Sequence, residues 1–272
     1  MELLLVGDAS GAYQSLHYGF RELGIQSKLL LLSPPHSNSL IVPNCEVYYP
    51  RKWVRPIATL FKSIKLENYD VISFTHRISM PFRPVFFRYL DLPFLRNKTN
   101  LLSYTALGCD EISALTFNEE PAYTACGGCE KGDDAYFNCL KYSRKLHKKG
   151  CDKLAKYFDC LIIALPDYSH VENYHVISRH IPLPVRWDLV DWKPASFNKN
   201  TIKIVHSPTR EYFKGTDVVN SAMESVLKEH NNVEYLKISG LSYEKYIMSI
   251  ADADIVIDQT WSHSAGMNGL LM

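Results

Sequence analysis

The chain has 272 residues, with 30 Lys and Arg against 29 Asp and Glu, so its formal net charge is +1 when histidine is neutral. This balance excludes a strongly basic nucleic-acid-binding protein and an acidic disordered tail as starting interpretations, and we expect no nucleic-acid partner. Apolar residues make up 46% of the chain and charged residues 22%, which is ordinary for a globular protein.

The apolar stretches of the chain are short. The longest, residues 29–32 and 161–165, have the length of a strand and fall far below the ~20 residues that a membrane span needs. The N-terminus lacks the basic segment of a secretory signal and turns polar at Gly7-Asp8. It is typical of a buried first strand, and the sequence therefore predicts a cytoplasmic protein.

Strand-like and helix-like segments alternate along the first two thirds of the chain. Continuous apolar runs bounded by Gly, Pro or Ser predict buried parallel strands, and apolar residues three and four apart predict helices. The predicted strands are residues 3–6, 26–32, 69–75, 99–105, 160–165 and 179–183. The predicted helices are residues 10–23, 53–64, 86–92 and 142–158.

A new series of elements begins after residue 195. The predicted strands are residues 202–206, 233–239 and 254–258, and the predicted helices are residues 215–230, 243–251 and 264–272. Strands that alternate with helices of this length predict parallel sheets with right-handed crossovers. We therefore predict an α/β fold of two Rossmann-like parallel-sheet domains, residues 1–194 and 195–272, the second of them incomplete.

The second predicted domain holds only three strands. A doubly wound domain of that size leaves sheet edges and apolar faces uncovered. Either the sequence is a piece of a longer chain, or a partner chain supplies the missing half. We expect the chain as given to be inactive on its own.

A cysteine-rich insert is predicted near residues 121–151. The chain has seven cysteines, and this odd number argues against a disulfide framework. Cys126 and Cys129 have the C-x2-C spacing that lets two thiolates bind one tetrahedral metal, and Cys139 and Cys151 follow at a looser spacing. The sequence therefore predicts either a structural zinc held by these four thiolates or a set of buried free thiols.

The first candidate binding segment is residues 205–217. A predicted strand ends, a loop with two cations follows, and a helix begins. Ligands of open α/β sheets lie outside the carboxyl ends of strands, and helix N-termini offer amide groups to phosphate. The other interpretation is that both cations are solvated in a polar loop. The candidate residues are Ser207, Arg210, Lys214, Gly215 and Thr216.

The second candidate segment, residues 251–269, again has a strand, a loop and a glycine-containing helix start. The Ser and Gly residues of the loop would let backbone amides approach an anion. The alternative interpretation is that the segment is a plain turn between strand and helix. The candidate residues are Asp258, Gln259, Ser264, Gly266 and Met267.

These two segments resemble the C-terminal half of retaining glycosyltransferases of the family-4, group-1 type, which have the GT-B fold. Lys214-Gly215 match the family's Lys-Gly pair after a cation-bearing loop, with Arg210 in place of its partner Arg. Residues 252–259 fit the family's "ADIVVDQ" strand, and Gly266-Met267-Asn268 opens the expected helix. The resemblance covers residues 202–272 by motif and the rest of the chain by architecture.

The resemblance implies transfer of a sugar from a nucleotide-diphosphate sugar to a hydroxyl acceptor, in glycan or polysaccharide biosynthesis and with retention of configuration. In relatives the Lys contacts the donor diphosphate, so Lys214 and Arg210 would stabilise the leaving group electrostatically, with no cofactor for catalysis. The family's helix Glu, which binds sugar or ribose hydroxyls, has no counterpart here, because Leu271 stands in its place.

The first domain would be the acceptor side of such an enzyme. In GT-B proteins the loop after the first strand, here Gly7 to Gly11, borders the cleft and touches acceptor or donor phosphates. It lacks the third glycine of a dinucleotide fingerprint, and a tight turn is the other interpretation. His76 and Asp110 follow predicted strands, so we expect them to face the cleft as candidates for acceptor contact and catalysis.

A basic stretch at residues 141–149 leaves two interpretations open. Polybasic segments attract anionic lipid headgroups, and many enzymes of the family act on lipid-linked acceptors, which favours a peripheral membrane contact. The alternative is a solvated helix face. Two other functions also stay open for the whole chain: a sugar-nucleotide epimerase of the same architecture, and a non-enzymatic, zinc-stapled α/β binding module.

Elemental analysis tests the cysteine cluster directly. We expect one zinc ion per chain in protein purified without chelator, and its loss in Cys126→Ser, because a structural zinc site needs four ligands. Cys45→Ser, outside the cluster, is the matched control and should keep the metal. A folded chain without metal would reject the site.

Overall fold

The computed structural model describes residues 1–32, 42–51, 54–75, 91–107, 156–166, 177–186, 188 and 200–270. The chain divides into two compact units, with the described residues up to Val185 in the first and those from Arg186 onward in the second. The predicted boundary near residue 195 falls among residues 189–199, which lie outside the described residues, and it stays a prediction.

The described part of the first unit consists of seven strands and three helices. In chain order they are β1 (Glu2–Val6), α1 (Ala12–Glu22), β2 (Gln26–Leu31), β3 (Cys45–Val47), α2 (Arg55–Lys65), β4 (Tyr69–Thr75), α3 (Leu92–Arg96), β5 (Thr99–Ala106), β6 (Cys160–Ile163) and β7 (Ile177–His180).

The seven strands form one sheet in the order β3-β2-β1-β4-β5-β6-β7, and every neighbouring pair is parallel. The chain starts in the middle of the sheet, builds outward to β3 and then crosses over β1 to β4. This is the Rossmann strand order with one strand added, and its switch point lies between β1 and β4. The predicted α/β fold with a Rossmann-like parallel sheet is confirmed.

The sheet of the first unit is covered on both faces, as parallel sheets require. Leu4 and Val6 of β1 belong to one buried cluster, whereas Leu5 between them belongs to another. Successive side chains of a strand point to opposite faces, so β1 carries a core on each side. This burial explains why its sequence is a continuous apolar run and not an alternating one.

The second unit is smaller and also built on a parallel sheet. Its described elements are β8 (Ile202–His206), α4 (Glu211–Lys214), α5 (Thr216–Glu229), β9 (Val233–Lys237), α6 (Tyr243–Ile250), β10 (Ile255–Ile257) and α7 (Met267–Leu270). The strand order is β10-β8-β9, and both pairs are parallel. The three strands predicted for this unit are therefore confirmed.

Two short elements were not predicted. The edge strand β3 has three residues, all at least partly exposed, so it shows neither an apolar run nor an alternation. Helix α4 has four residues and lies within what was predicted to be a loop between β8 and the next helix. Both are too short for the periodic pattern that reveals a strand or a helix to repeat.

Several predicted boundaries are corrected. The strand predicted at residues 179–183 is β7 (Ile177–His180), and the helix predicted from residue 264 is α7 (Met267–Leu270). The helix predicted at residues 86–92 overlaps α3 only at Leu92, and residues 86–90 lie outside the described residues. Most of the helix predicted at residues 142–158 also lies outside them.

No helix among the described residues is long and apolar enough to cross a bilayer. The longest, α5, has 14 residues, which is short of the ~20 that a span requires.

Asp91, at the start of α3, is a buried carboxyl group. It is 0% exposed, and neither carboxylate oxygen has a hydrogen-bond partner among the described residues. Burial raises the pKa of Asp91 from its usual value to about 6. Because the folded state holds the proton more tightly than the unfolded chain, stability falls as the pH rises from the usual pKa to this value, and the full cost of the ionised group is present above it.

Asp91→Asn should therefore stabilise the protein at pH 7.5. We expect the free energy of unfolding to rise by up to about 3 kcal/mol, since one pKa unit corresponds to ~1.4 kcal/mol, and the gain should vanish below pH ~4. Urea unfolding at several pH values measures it. Glu22→Gln, an exposed carboxyl on α1, is the control and should change little. Destabilisation by Asp91→Asn at every pH would contradict the expected cost.

Candidate functional site

The switch point of the second sheet lies between β8 and β10. The chain passes from β8 to β9 on one side and then returns across β8 to β10 on the other. His206 and Ile257 are register partners at the carboxyl ends of these two strands. In open α/β sheets the crevice outside such ends is the usual place for a ligand. The residues that follow β8 and β10 are therefore the first place to look for a site.

Lys214 and Asp258 meet at this edge of the sheet. Lys214 is the last residue of α4 and is 7% exposed, and Asp258 directly follows β10. The Lys214 Nζ donates to Asp258 Oδ1 at 2.7 Å, and the other carboxylate oxygen accepts the Gly266 N–H at 2.7 Å. The alternative interpretation, that Lys214 is solvated in a polar loop, is thus wrong, because its ammonium is buried in an ion pair.

Two glycines after Asp258, Gly266 and Gly269, make room for the close packing around the Lys214–Asp258 ion pair. A Cβ atom on Gly266 would lie 2.9 Å from Lys214 Nζ and 3.0 Å from Asp258 Oδ2. A Cβ atom on Gly269 would lie 3.3 Å from Asp258 Cβ. Glycine at these two positions therefore lets the backbone at the start of α7 approach the ion pair closely.

Gly215 joins α4 to α5 in a left-handed conformation, with φ of 70°. An added Cβ atom would lie 1.9 Å from Thr260 Oγ1 and 2.7 Å from Trp261 Nε1. The Thr260 N–H donates to the Lys214 carbonyl oxygen at 3.2 Å. The loop after β10 thus packs directly on the α4–α5 junction, which fixes the backbone around Lys214.

His206, at the end of β8, is a residue of this site that sequence reasoning did not select. It is 0% exposed, its Nδ1 donates to the Ile257 carbonyl at 2.7 Å, and its Nε2 accepts from the Thr216 hydroxyl at 2.9 Å. Burial lowers the pKa of His206, the Ile257 carbonyl opposes this shift, and the Lys214 ammonium adds to it. The imidazole therefore stays neutral and joins β10 to the first residue of α5.

Arg210 lies apart from the described contacts of the ion pair. Its guanidinium carbon is 3.9 Å from the centroid of the Phe213 ring, a cation–π arrangement. Its side chain is half-buried, and its backbone is extended just before α4. The structure therefore brings Lys214 and Asp258 together and stacks Arg210 on the neighbouring aromatic ring.

The other predicted residues of the second unit surround the same loops. Ser207 directly follows β8, and Met267 begins α7. The Gln259 amide donates to the Ser264 carbonyl, and the Ser264 N–H donates to Ser262 Oγ at 3.0 Å. Ser264 is 5% exposed, so these contacts order a turn that leads from the end of β10 to Gly266.

In the first unit the β1–α1 loop holds its own carboxylate. Asp8 accepts the Tyr13 N–H at 2.7 Å, the Gly11 N–H at 3.0 Å and the Gln14 side-chain amide at 3.0 Å. Gly7, with φ of 80°, packs on β4, because a Cβ atom there would lie 2.4 Å from the Thr75 carbonyl oxygen. The amide groups at the start of α1 thus already have an anionic partner.

A buried hydroxyl network lies behind this loop. The Tyr13 hydroxyl donates to Thr105 Oγ1 at 2.8 Å and is 2.8 Å from Ser73 Oγ. Burial raises the pKa of Tyr13 far above its usual value, so the phenol stays neutral. It joins α1 to β4 and β5 across the switch point of the first sheet.

Six predicted site residues lie outside the described residues: His76, Asp110, Cys126, Cys129, Cys139 and Cys151. Among the described residues, no group of three or more His, Cys, Asp or Glu side chains is placed to hold a metal ion. The zinc site and the acceptor contacts stay predictions.

No family model and no curated protein matches the chain. Solved structures similar to it include S. aureus MnaA with UDP, at 8% identity over 98% of this chain and 69% of that one, with a TM-score of 0.47. A Listeria monocytogenes protein assigned provisionally as a UDP-N-acetylglucosamine 2-epimerase has 8% identity over 98% and 70%, with a TM-score of 0.44. The glycotransferase of kitacinnamycin has 11% identity over 99% and 77%, with a TM-score of 0.42.

Two glycines test the packing around Lys214. Gly215 and Gly240 have φ of 70° and 71°, but a Cβ atom at Gly240 would meet nothing within 4 Å. We expect Gly240→Ala to cost about 1–2 kcal/mol for the left-handed backbone alone. Gly215→Ala should cost about 1–3 kcal/mol more because of the clash with Thr260 and Trp261. Urea unfolding measures both, and equal losses would mean that the loop after β10 simply moves aside.

Proposed function

We propose that the second unit binds the diphosphate of a nucleotide-diphosphate sugar at Lys214, and that the protein is a glycosyltransferase that moves the sugar to a hydroxyl acceptor. The observation that supports this proposal is the buried Lys214 ammonium at the switch point between β8 and β10. A cation held at the ligand-binding edge of a parallel sheet is suited to an anionic group.

The chemistry follows from where charge develops in the reaction. When the sugar leaves, the diphosphate gains negative charge, and a positioned ammonium stabilises that charge without a metal. Asp258 accepts one of the three hydrogens that an ammonium can donate, so Lys214 retains donors for phosphate oxygens. The N-terminal end of α5, which begins at Thr216, would add the favourable end of a helix dipole.

Asp258 has a positioning role in this proposal. Its carboxylate holds the Lys214 side chain in place before the ligand arrives, and it also neutralises the cation. An arriving diphosphate would share Lys214 with Asp258 or displace that contact. Asp258→Asn would free the ammonium from a competing anion, but it would also remove the contact that holds Lys214 in place.

The finer assignments belong to the same proposal and rest on the family resemblance. They are a retaining reaction of the family-4 type, a glycan or lipid-linked acceptor, and acceptor contacts from His76 and Asp110 in the first unit. The second unit would bind the donor. Ser207, Gln259, Ser264 and Gly266 would line the donor side.

Thermal unfolding with UDP, GDP and ADP tests the diphosphate site. At 100 times the dissociation constant, a ligand stabilises the protein by about 2.7 kcal/mol, which is about 5 °C or more for a protein of this size. We expect this rise with at least one nucleotide and its loss in Lys214→Met. Lys203→Met, at the opposite end of β8 in an ion pair with Asp252, is the matched control and should keep the rise.

A double variant separates binding from folding. Lys214→Met alone leaves Asp258 nearly buried without its cation, which destabilises proteins by about 3–5 kcal/mol. Lys214→Met/Asp258→Asn removes both charges, so it should fold and still fail to respond to the nucleotide. A full temperature rise in the folded double variant would contradict the proposal.

Product analysis then separates the transferase from the epimerase. Since the 272-residue chain is expected to be inactive on its own, the assay uses a chain extended beyond Met272. Radiolabelled donor incubated with it and a hydroxyl acceptor should give labelled acceptor if the protein is a transferase. Conversion of the donor into its epimer without an acceptor would favour the epimerase.

A further inference from the structure

The outer face of α2 exposes a row of large apolar side chains, which we name the α2 stripe: Val54, Ile57, Phe61 and Ile64. Their exposed fractions are 52%, 57%, 57% and 39%. The spacing of three, four and three residues places all four on one side of a helix. The stripe runs about 15 Å along the helix axis, at 1.5 Å per residue.

The rest of α2 is anchored to the first unit. The stripe is therefore not exposed because of fraying at a helix end. Ser63 lies on the opposite side of the helix and is 3% exposed. The Tyr48 hydroxyl donates to the Ala58 carbonyl oxygen at 2.9 Å, and Lys62 Nζ bonds Glu46 at 2.6 Å. The helix therefore has a fixed inner face and presents the stripe outward. Single exposed apolar residues are common, but four on one helix face mark an interaction surface.

The charge around the stripe is predominantly positive. Residues 46–67 carry five Lys and Arg and two Glu, namely Arg51, Lys52, Arg55, Lys62 and Lys65 against Glu46 and Glu67, and Glu46 is paired with Lys62. This contrasts with the whole chain, in which acids and bases balance. Arg51 and Lys65 are exposed. Lys65 follows the last stripe residue by one position and so lies about 100° around the helix from it.

We infer that the α2 stripe docks on the surface of an anionic lipid bilayer. A helix with an apolar face and flanking cations lies in the membrane interface, with the apolar side chains among the acyl chains and the cations at the headgroups. Helix α2 has 11 residues, which is too short to span a bilayer, so it would lie parallel to the surface. An apolar groove of another protein would fit the stripe but would not account for the exposed cations Arg51 and Lys65 near its two ends.

This inference does not depend on the diphosphate site, because α2 belongs to the first unit and Lys214 to the second. It also differs from the membrane interpretation of residues 141–149, which lie outside the described residues. The two can be told apart by substitution.

Vesicle sedimentation with the full 272-residue chain tests the docking. We expect binding to vesicles of phosphatidylcholine with 30% phosphatidylglycerol and little binding to phosphatidylcholine alone. Ile57→Ser/Phe61→Ser should lower the partition coefficient about tenfold or more, because it removes the inserted apolar surface. Leu23→Ser/Met248→Ser, which changes two side chains exposed at 75% and 77% elsewhere, should leave it unchanged.

The cations are tested in the same assay. Arg51→Gln and Lys65→Gln should each weaken binding about fivefold, whereas Lys228→Gln, exposed on α5, should have no effect. Insertion itself is read with Phe61→Trp, whose emission should shift to the blue on anionic vesicles, and with Leu23→Trp, whose emission should not shift.

Four results would overturn the inference. They are no binding to anionic vesicles, binding that survives Ile57→Ser/Phe61→Ser, binding lost only when Arg144, Lys145, Lys148 and Lys149 are changed to Gln, and a dimer in solution that the stripe substitutions dissociate. The last result would assign the stripe to a second copy of the chain. Circular dichroism confirms that each variant is folded, which is expected because the substituted side chains of the stripe are exposed.

Discussion

The ion pair between Lys214 and Asp258 joins the two ends of the second unit's switch point. It links α4, which follows β8, to the residue directly after β10, and Asp258 also accepts the Gly266 N–H just before α7. Breaking a buried pair costs about 3–5 kcal/mol, which is a large share of a domain's stability. The geometry of the loops around the proposed diphosphate site thus depends on one charge contact.

If a diphosphate binds at Lys214 as proposed, stability and ligand binding compete for the same atoms. The buried apolar clusters of the second unit are small, with Ile204, Val219 and Met223 in one and Val205, Tyr246 and Ile250 in the other. An anion that draws Lys214 away from Asp258 must replace a contact on which the loops rely. Ligand binding at this edge would therefore be coupled to the order of the loop between β10 and α7.

Sequence patterns predicted the sheets well because burial dictates them. The strands at residues 69–75 and 202–206 have the predicted bounds, since the residues toward the carboxyl end of each are buried. The edge strand β3 and the helix α4 escaped prediction because neither is long enough for its hydrophobic pattern to repeat. The motif around Lys214 was found, but its burial was not, because the partner carboxylate is 44 positions away. His206 was passed over because nothing local distinguishes a buried histidine from a solvated one at a strand end.

The Asp8 contacts in the first unit have a consequence for selectivity. With the positive end of α1 neutralised from within, a negatively charged metabolite gains no electrostatic advantage there and would be repelled by the resident carboxylate. An uncharged, hydroxyl-rich molecule meets no such repulsion. If the second unit binds a diphosphate as proposed, the two units would sort ligands by charge, since the carboxyl edge of the first sheet discourages anions.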